Sequence, residues 1–272
     1  MLHTEVETIA SELFSAFHTG MMIDPPSARP GFDLDAAYGV EAKLKHVREA
    51  AGHRSVGRKV GYANKGMWRV LKLDTLVWAH MYDDTVHYAD NNSATLAIAN
   101  PRSLKIEPEI VFGLKEPITS PGLDAAAVLA ATGWLALGFE IIDCPYPEWK
   151  FAPSDFIASF GLHAALVVGA KTYVSSDSIS TLVEELPKFK VRMLKSRELV
   201  EEGSGKNSLK SPALCLAELG AAIARRFPDE PLSAGEIVSS GTLTAGHPTV
   251  SGDLWTAEVE GIALPPLTLR LT

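Results

Sequence analysis

Hydrophobic positions along the chain change period, and the changes mark the elements. Val6, Ile9, Leu13, Phe14 and Phe17 recur at steps of three and four, which is one apolar stripe on a helix ending near Gly20. Residues 24–31 hold three prolines. Proline lacks a donor and pushes its predecessor out of the α region, so this stretch is a loop. Asp33 then caps a second helix to about Ala51, with Leu34, Ala37, Tyr38, Glu41, Leu44 and Val47 at helical spacing.

After Gly57 the pattern turns to β. Residues 59–63 predict a short strand and residues 106–114 a stronger one. Asp124 opens an alanine-rich helix expected to end near Trp134, followed by apolar strands over residues 137–142 and 164–168. The clearest helix covers residues 209–227, with Ser211 as N-cap, Pro212 at the first helical position, and Leu216, Leu219, Ile223 and Phe227 on one stripe. Strands at 236–240 and 255–260 and the alternating Leu267, Leu269 and Leu271 close the chain. Without repeats or a long linker, the expectation is one α+β domain over residues 1–272, with a helical flank at 1–56 and a β-rich core at 57–272.

Composition narrows the function classes. The 272 residues carry 25 Lys+Arg against 33 Asp+Glu, a formal charge of −8. With no basic run to neutralise a row of phosphates, a nucleic-acid partner is not expected. The most apolar window, residues 125–139, is shorter than the ~20 residues that cross a bilayer, so no membrane partner is expected. The N-terminus lacks the basic-then-apolar layout of a signal peptide. Cys144 and Cys215 offer neither metal spacing nor a disulfide framework and are read as inert fillers. The expected setting is a reducing cytoplasm, and the expected partner is a small molecule.

The remaining chemistry is a pattern of carboxylates, since phosphate-loop, zincin, serine-hydrolase and dinucleotide motifs are all missing. In the segment Lys105-Ile106-Glu107-Pro108-Glu109-Ile110, strand alternation puts Glu107 and Glu109 on one face. Glu140 stands alone in the apolar run 136–142, where an unpaired carboxylate is very costly. It calls for a cation. Either the three carboxylates meet around a hard divalent ion, Mg2+ or Mn2+, or Glu140 forms a buried ion pair with Lys59 or Arg58.

These residues carry a resemblance. The Glu-x-Glu strand, the run Glu140-Ile141-Ile142-Asp143 with Trp149 and Asp155 after it, Gly57-Arg58-Lys59-Val60-Gly61, and Ser240-Gly241-Thr242-Leu243-Thr244 occur in the order found in the 2-keto-4-pentenoate hydratase and 2-oxo-3-enedioate decarboxylase family. The chain resembles that family, part of the fumarylacetoacetate hydrolase superfamily, over roughly residues 30–265. The resemblance implies a mixed, rolled β-sheet core and homo-oligomeric assembly. It implies Glu107, Glu109 and Glu140 as metal ligands, Lys59 as acid or base, and Thr242 and Lys65 as substrate-binding residues.

Two segments depart from the family pattern. His80 stands where hydratases usually carry an aspartate, and Ala158-Ser159-Phe160 replaces Ala-Asp-Asn. His80, with an ordinary pKa near 6.5, is a second candidate acid–base group, whereas His163 is expected to be core. The implied activity is metal-dependent addition of water to a 2-hydroxypenta-2,4-dienoate-like acid, giving a 4-hydroxy-2-keto acid. Decarboxylation of a 2-oxo-3-enedioate is the alternative. Hydrolysis of an acylpyruvate is another, although it asks for a Glu–His pair and Glu41 with His46 do not share a helix face well. A catalytically silent metabolite-binding or scaffold relative is the last.

Overall fold

The computed structural model describes residues 3–272. The chain order is α1 (His3–Thr19), α2 (Leu34–Ala50), β1 (Ser55–Gly61), α3 (Lys65–Leu71), β2 (Val77–Tyr82), β3 (Val86–Tyr88), β4 (Ser93–Leu96), β5 (Leu104–Leu114), α4 (Ala125–Ala131) and β6 (Thr132–Asp143). There follow α5 (Pro153–Ala158), β7 (His163–Val168), β8 (Thr172–Tyr173), α6 (Ile179–Glu185), β9 (Lys190–Lys195), β10 (Glu198–Ser204), α7 (Pro212–Arg226), β11 (Ile237–Ser239), β12 (His247–Pro248), β13 (Leu254–Glu260) and β14 (Leu267–Leu271). No described helix is long and apolar enough to cross a membrane.

The helices begin where short polar side chains satisfy free amides. Asp33 accepts from Ala36 N at 2.9 Å and Asp124 from Ala127 N at 2.8 Å. Ser211 caps α7 by backbone alone, its hydroxyl making no capping bond. The alanine-rich helix is shorter than the sequence suggests. Thr132 Oγ1 donates back to Val128 O at 2.8 Å, and the chain passes directly into β6 at Thr132, five residues before the expected strand.

The strands form two sheets. The larger runs β2-β1-β11-β5-β6-β7-β3, with β12 on β5 and β8 on β6; the smaller runs β10-β9-β13-β14-β4. Strands β2 and β3 lie at opposite ends of the larger path but are consecutive in the chain. Thr85 N donates to Tyr82 O at 3.0 Å while Leu166 N donates to Thr85 O at 2.8 Å. Three linking residues cannot span a flat sheet, so the sheet rolls until its ends meet, and the fold is α+β with a rolled, mixed sheet at its centre.

Rolling gives each strand an inner and an outer face. Inside lies a small plug of Met81, Val111, Ala136, Leu166, Val168 and Ile237. Outside, Phe112, Leu135, Leu137 and Phe139 join the main core with α1, α2, α4 and α7, each buried side chain contributing about 2 kcal/mol. Glu107 and Glu109 of β5 share the inner parity with Val111, Glu140 of β6 with Ala136, and Lys59 of β1 with Gly57 and Gly61. Charged groups therefore sit above the apolar plug, at one mouth of the roll.

Candidate active site

Strand register assembles the carboxylates. Glu107 pairs directly with Glu140 across β5 and β6, and Glu109 pairs with Gly138, where a Cβ would come within 2.6 Å of Val111 Cγ2. One ligand oxygen from each of Glu107, Glu109 and Glu140 lies within 4.8 Å of the others. Octahedral ligands at ~2.1 Å from a hard ion are ~3–4 Å apart, so small side-chain movements close the set. Glu109 Oε2 accepts from Ser239 Oγ and from Gly241 N at 2.8 Å, whereas its buried Oε1 has no hydrogen-bond partner. An orphaned, buried carboxylate oxygen on a residue clustered with two other carboxylates fits a donor set that a hard cation would satisfy.

Lys59 is almost wholly buried beside them. Its Nζ lies 3.0 Å from Glu140 Oε2, donates to Gly161 O at 3.0 Å, and sits 4.6 Å from the centre of the Phe156 ring. Gly161 presents that carbonyl from a left-handed turn in which Phe160, Gly161 and Leu162 have φ of 55°, 63° and 58°, a conformation that is costly for two of the three. A Cβ on Gly161 would come within 2.7 Å of Lys59 Cδ. Glycine is required there. The cation for Glu140 is thus Lys59; Arg58 points to the outer face and pairs with Glu236.

The charges set the protonation of the group. Burial pushes the Glu140 carboxyl up, but the Lys59 ammonium and the His163 hydrogen bond outweigh it and hold it below the usual carboxylate range. Burial and the nearby Glu140 charge raise Glu107 to about 7, and burial with both neighbouring carboxylates raises Glu109 well above its ordinary value. Three carboxylates and one ammonium carry a charge of −2 when all are ionised. A bound dication cancels it.

His163, expected to be core filling, is joined to the site. Its Nδ1 is 2.9 Å from Glu140 Oε1 and its Nε2 is 3.1 Å from Thr85 Oγ1. The register of β6 against β7 steps from Ile141↔Ala165 to Ile142↔His163, leaving Ala164 as a bulge that turns His163 to the inner side.

His80 moves the other way. It pairs with Arg58 on β1, while Lys59 pairs with Ala79, so His80 faces outward. There its Nδ1 lies 2.6 Å from Glu41 Oε1, and Glu41 also accepts from His80 N at 3.0 Å. The proposed acid–base role for His80 is therefore set aside, and Glu41 takes its histidine partner from β2 and not from His46.

A cleft of about 500 Å3 opens above the carboxylates. Trp149, Phe151, Phe156 and Leu162 form its apolar wall, and Lys105, Glu201 and the 241–246 loop its polar side. Lys105 Nζ rests 3.8 Å from the centre of the Trp149 ring. Thr242 lines the cleft, but its hydroxyl donates to Thr244 O at 2.9 Å, which leaves it only acceptor capacity. Lys65 does not line this cleft. It sits 5.5 Å over the Trp68 ring in a separate hollow of about 380 Å3 beyond Asn64, because α3 starts at Lys65 and carries it past the rim.

No family model matches the chain. It is 28% identical over 258 residues to a 2-hydroxyhexa-2,4-dienoate hydratase of Comamonas testosteroni, covering 94% of each chain. It is 28% identical over 233 residues to a 4-oxalocrotonate decarboxylase of a Pseudomonas species, covering 86% of this chain and 84% of the relative. The fold matches 4-oxalocrotonate decarboxylase of Pseudomonas putida, solved with magnesium and adipate, at a TM-score of 0.89 and 24% identity, over 100% of this chain and 99% of the other. Fumarylpyruvate hydrolase of Pseudomonas aeruginosa, solved with manganese and pyruvate, matches at 0.57 and 14% identity over 80% and 89%. The chain is thus similar over most of its length to 2-hydroxydienoate hydratases and 4-oxalocrotonate decarboxylases, and it has the fold of 4-oxalocrotonate decarboxylase.

Proposed function

We propose that this chain is a divalent-metal-dependent hydratase that converts a 2-hydroxy-2,4-dienoic acid into a 4-hydroxy-2-keto acid. The observation that carries the reading is the meeting of Glu107, Glu109 and Glu140 within 4.8 Å, with an ammonium 3.0 Å from one of them, under an open cleft. Glu107, Glu109 and Glu140 would hold Mg2+ or Mn2+. Bound there, the ion would supply Lewis acidity for a 2-keto acid.

The chain's own residues do the rest. Lys59 Nζ, fixed by Glu140 and Gly161 O, carries the protons that the substrate carbon chain gains as the dienol ketonises and as water adds. The apolar wall of Trp149, Phe151, Phe156 and Leu162 fits the unsaturated carbon chain and strips water from it. Thr242, whose hydroxyl donates to Thr244 O, offers the substrate acceptor capacity only. We further propose a homo-oligomer working in the cytoplasm, a setting that suits two buried free cysteines.

Decarboxylation of a 2-oxo-3-enedioate is the second reading, and Lys105 favours it. This cation lines the cleft two residues from Glu107, braced on Trp149 and without an ion-pair partner among the described residues, where a distal carboxylate would need one. One experiment separates the readings. The protein with Mg2+ is incubated with 2-hydroxypenta-2,4-dienoate and with 2-oxohex-3-enedioate, and the products are followed. A 4-hydroxy-2-keto acid from the first supports the hydratase, and CO2 from the second the decarboxylase. Metal-dependent oxalate binding with no turnover of either would mean a silent relative.

A further inference from the structure

Adding water across a C3=C4 bond needs a proton donor for C3 and also a base for the water. Among the described residues that line the cleft, the titratable groups are Lys59, Tyr62, Lys105, Glu107 and Glu201. Lys59 is the ammonium held by Glu140 and Gly161 O, and Lys105 is a second cation. Burial pushes the Tyr62 phenol far up and keeps it neutral. Glu107 belongs to the carboxylate trio. Glu201 is the carboxylate that remains.

Its placement is specific. Glu201 lies on β10 of the smaller sheet, so it reaches the cleft from a different sheet than Lys59 of β1. The β9–β10 register steps from Leu199↔Leu194 to Glu201↔Met193, so Val200 is a bulge that turns Glu201 to the side of the buried Met193. Both donors that hold the carboxylate go to one oxygen. Glu201 Oε2 accepts from Ala245 N at 3.1 Å and lies 2.6 Å from His247 Nε2, while Oε1 has no hydrogen-bond partner among the described residues and the side chain lines the cleft. The same loop borders the trio, since a Cβ on Gly246 would lie 2.7 Å from Glu107 Oε1.

We infer that Glu201 is the general base for the attacking water and that His247 is its positioning residue, an inference that rests on the hydratase reading. As the water oxygen bonds to C4, its proton passes to Glu201 Oε1. The C3=C4 electron pair moves through C3 to the 2-oxygen, then returns as C3 takes a proton from Lys59. Glu201 and Lys59 regain their starting states by exchange with solvent, and the net change is H and OH added across C3=C4. The earlier conversion of the dienol to the 2-oxo-3-enoate uses no water and needs no Glu201.

That separation supplies the test. Glu201→Gln keeps an acceptor oxygen for Ala245 N and His247, so the loop retains its bonds. Its kcat for hydrating a 2-oxo-3-enoate should fall ~100-fold or more. Its rate of deuterium uptake at C5 from D2O, its KM and its Mg2+-dependent oxalate binding should stay near wild type. Glu201→Asp should recover part of the hydration rate. Hydration at the wild-type rate by Glu201→Gln would overturn the inference and leave the hydratase reading standing, as would an equal loss of exchange and hydration, which marks general damage. A wild-type protein that hydrates no dienoate would overturn the reading and the inference with it.

Discussion

Removing the metal should make this protein lose stability as pH rises, in a window set by Glu107. Its carboxyl titrates at about 7 in the folded chain against 4.5 ordinarily, because it is buried and faces Glu140. At about 1.4 kcal/mol per pH unit, ionised Glu107 costs the metal-free fold about 3 kcal/mol. Between those two values the folded state keeps a proton that the unfolded chain has released, so stability falls as pH rises through the window and levels off above about 7. Glu109 is displaced in the same direction and prolongs the fall. A dication between the carboxylates removes the repulsion. For a chain of this size, ~3 kcal/mol moves the unfolding midpoint by ~6–12 °C. The assay is thermal unfolding in EDTA and in millimolar Mg2+ at several values between about pH 5 and about pH 8, with Glu107→Gln as control. Wild type in EDTA should lose those degrees, Mg2+ should restore them mostly above neutrality, and Glu107→Gln should flatten both trends. Wild-type and Glu107→Gln profiles of equal slope in EDTA, with Mg2+ inert in both, would refute the argument.

Lys59→Met should lower kcat by ~100-fold or more while retaining Mg2+-dependent oxalate binding, and should cost ~3–5 kcal/mol of stability by stranding Glu140; lost affinity with normal turnover would contradict its assigned role. Gly161→Ala should push Lys59 from its perch and lower kcat with little change in thermal unfolding of the outer core, checked by steady-state kinetics and denaturation. His163→Leu should weaken Mg2+ binding, as Glu140 loses the hydrogen bond at 2.9 Å, and calorimetric titration reads it directly. His80→Gln should leave kcat and KM near wild type while destabilising by ~1–3 kcal/mol, because Glu41 loses a buried partner; a kinetic defect without a stability change would return His80 to the reaction.

Several features were legible along the chain because they depend on local rules. Alternation alone places Glu107 and Glu109 on one strand face. The apolar run around Glu140 announces a buried carboxylate in need of cations. Asp33 and Asp124 mark helix starts because an N-cap needs only its own first turn. The cores of the three long helices α1, α2 and α7 and of β5, β6 and β7 follow from periodicity, though α4 ends three residues sooner than expected, since the Thr132 hydroxyl turns back on the last helical turn.

The site beyond the trio was decided by register, which no local pattern specifies. A single bulge residue reverses every later side chain of a strand, and bulges at Ala164 and Val200 turn His163 toward Glu140 and Glu201 toward the cleft. His80 faces outward only because β2 pairs with β1 so that it sits beside Arg58. The Gly161 carbonyl meets Lys59 across 102 residues of sequence through a left-handed turn. What the sequence by itself determined is which groups are acidic, buried and strand-borne; the rolling of the sheet, with its long-range pairings, decided which of them face one another.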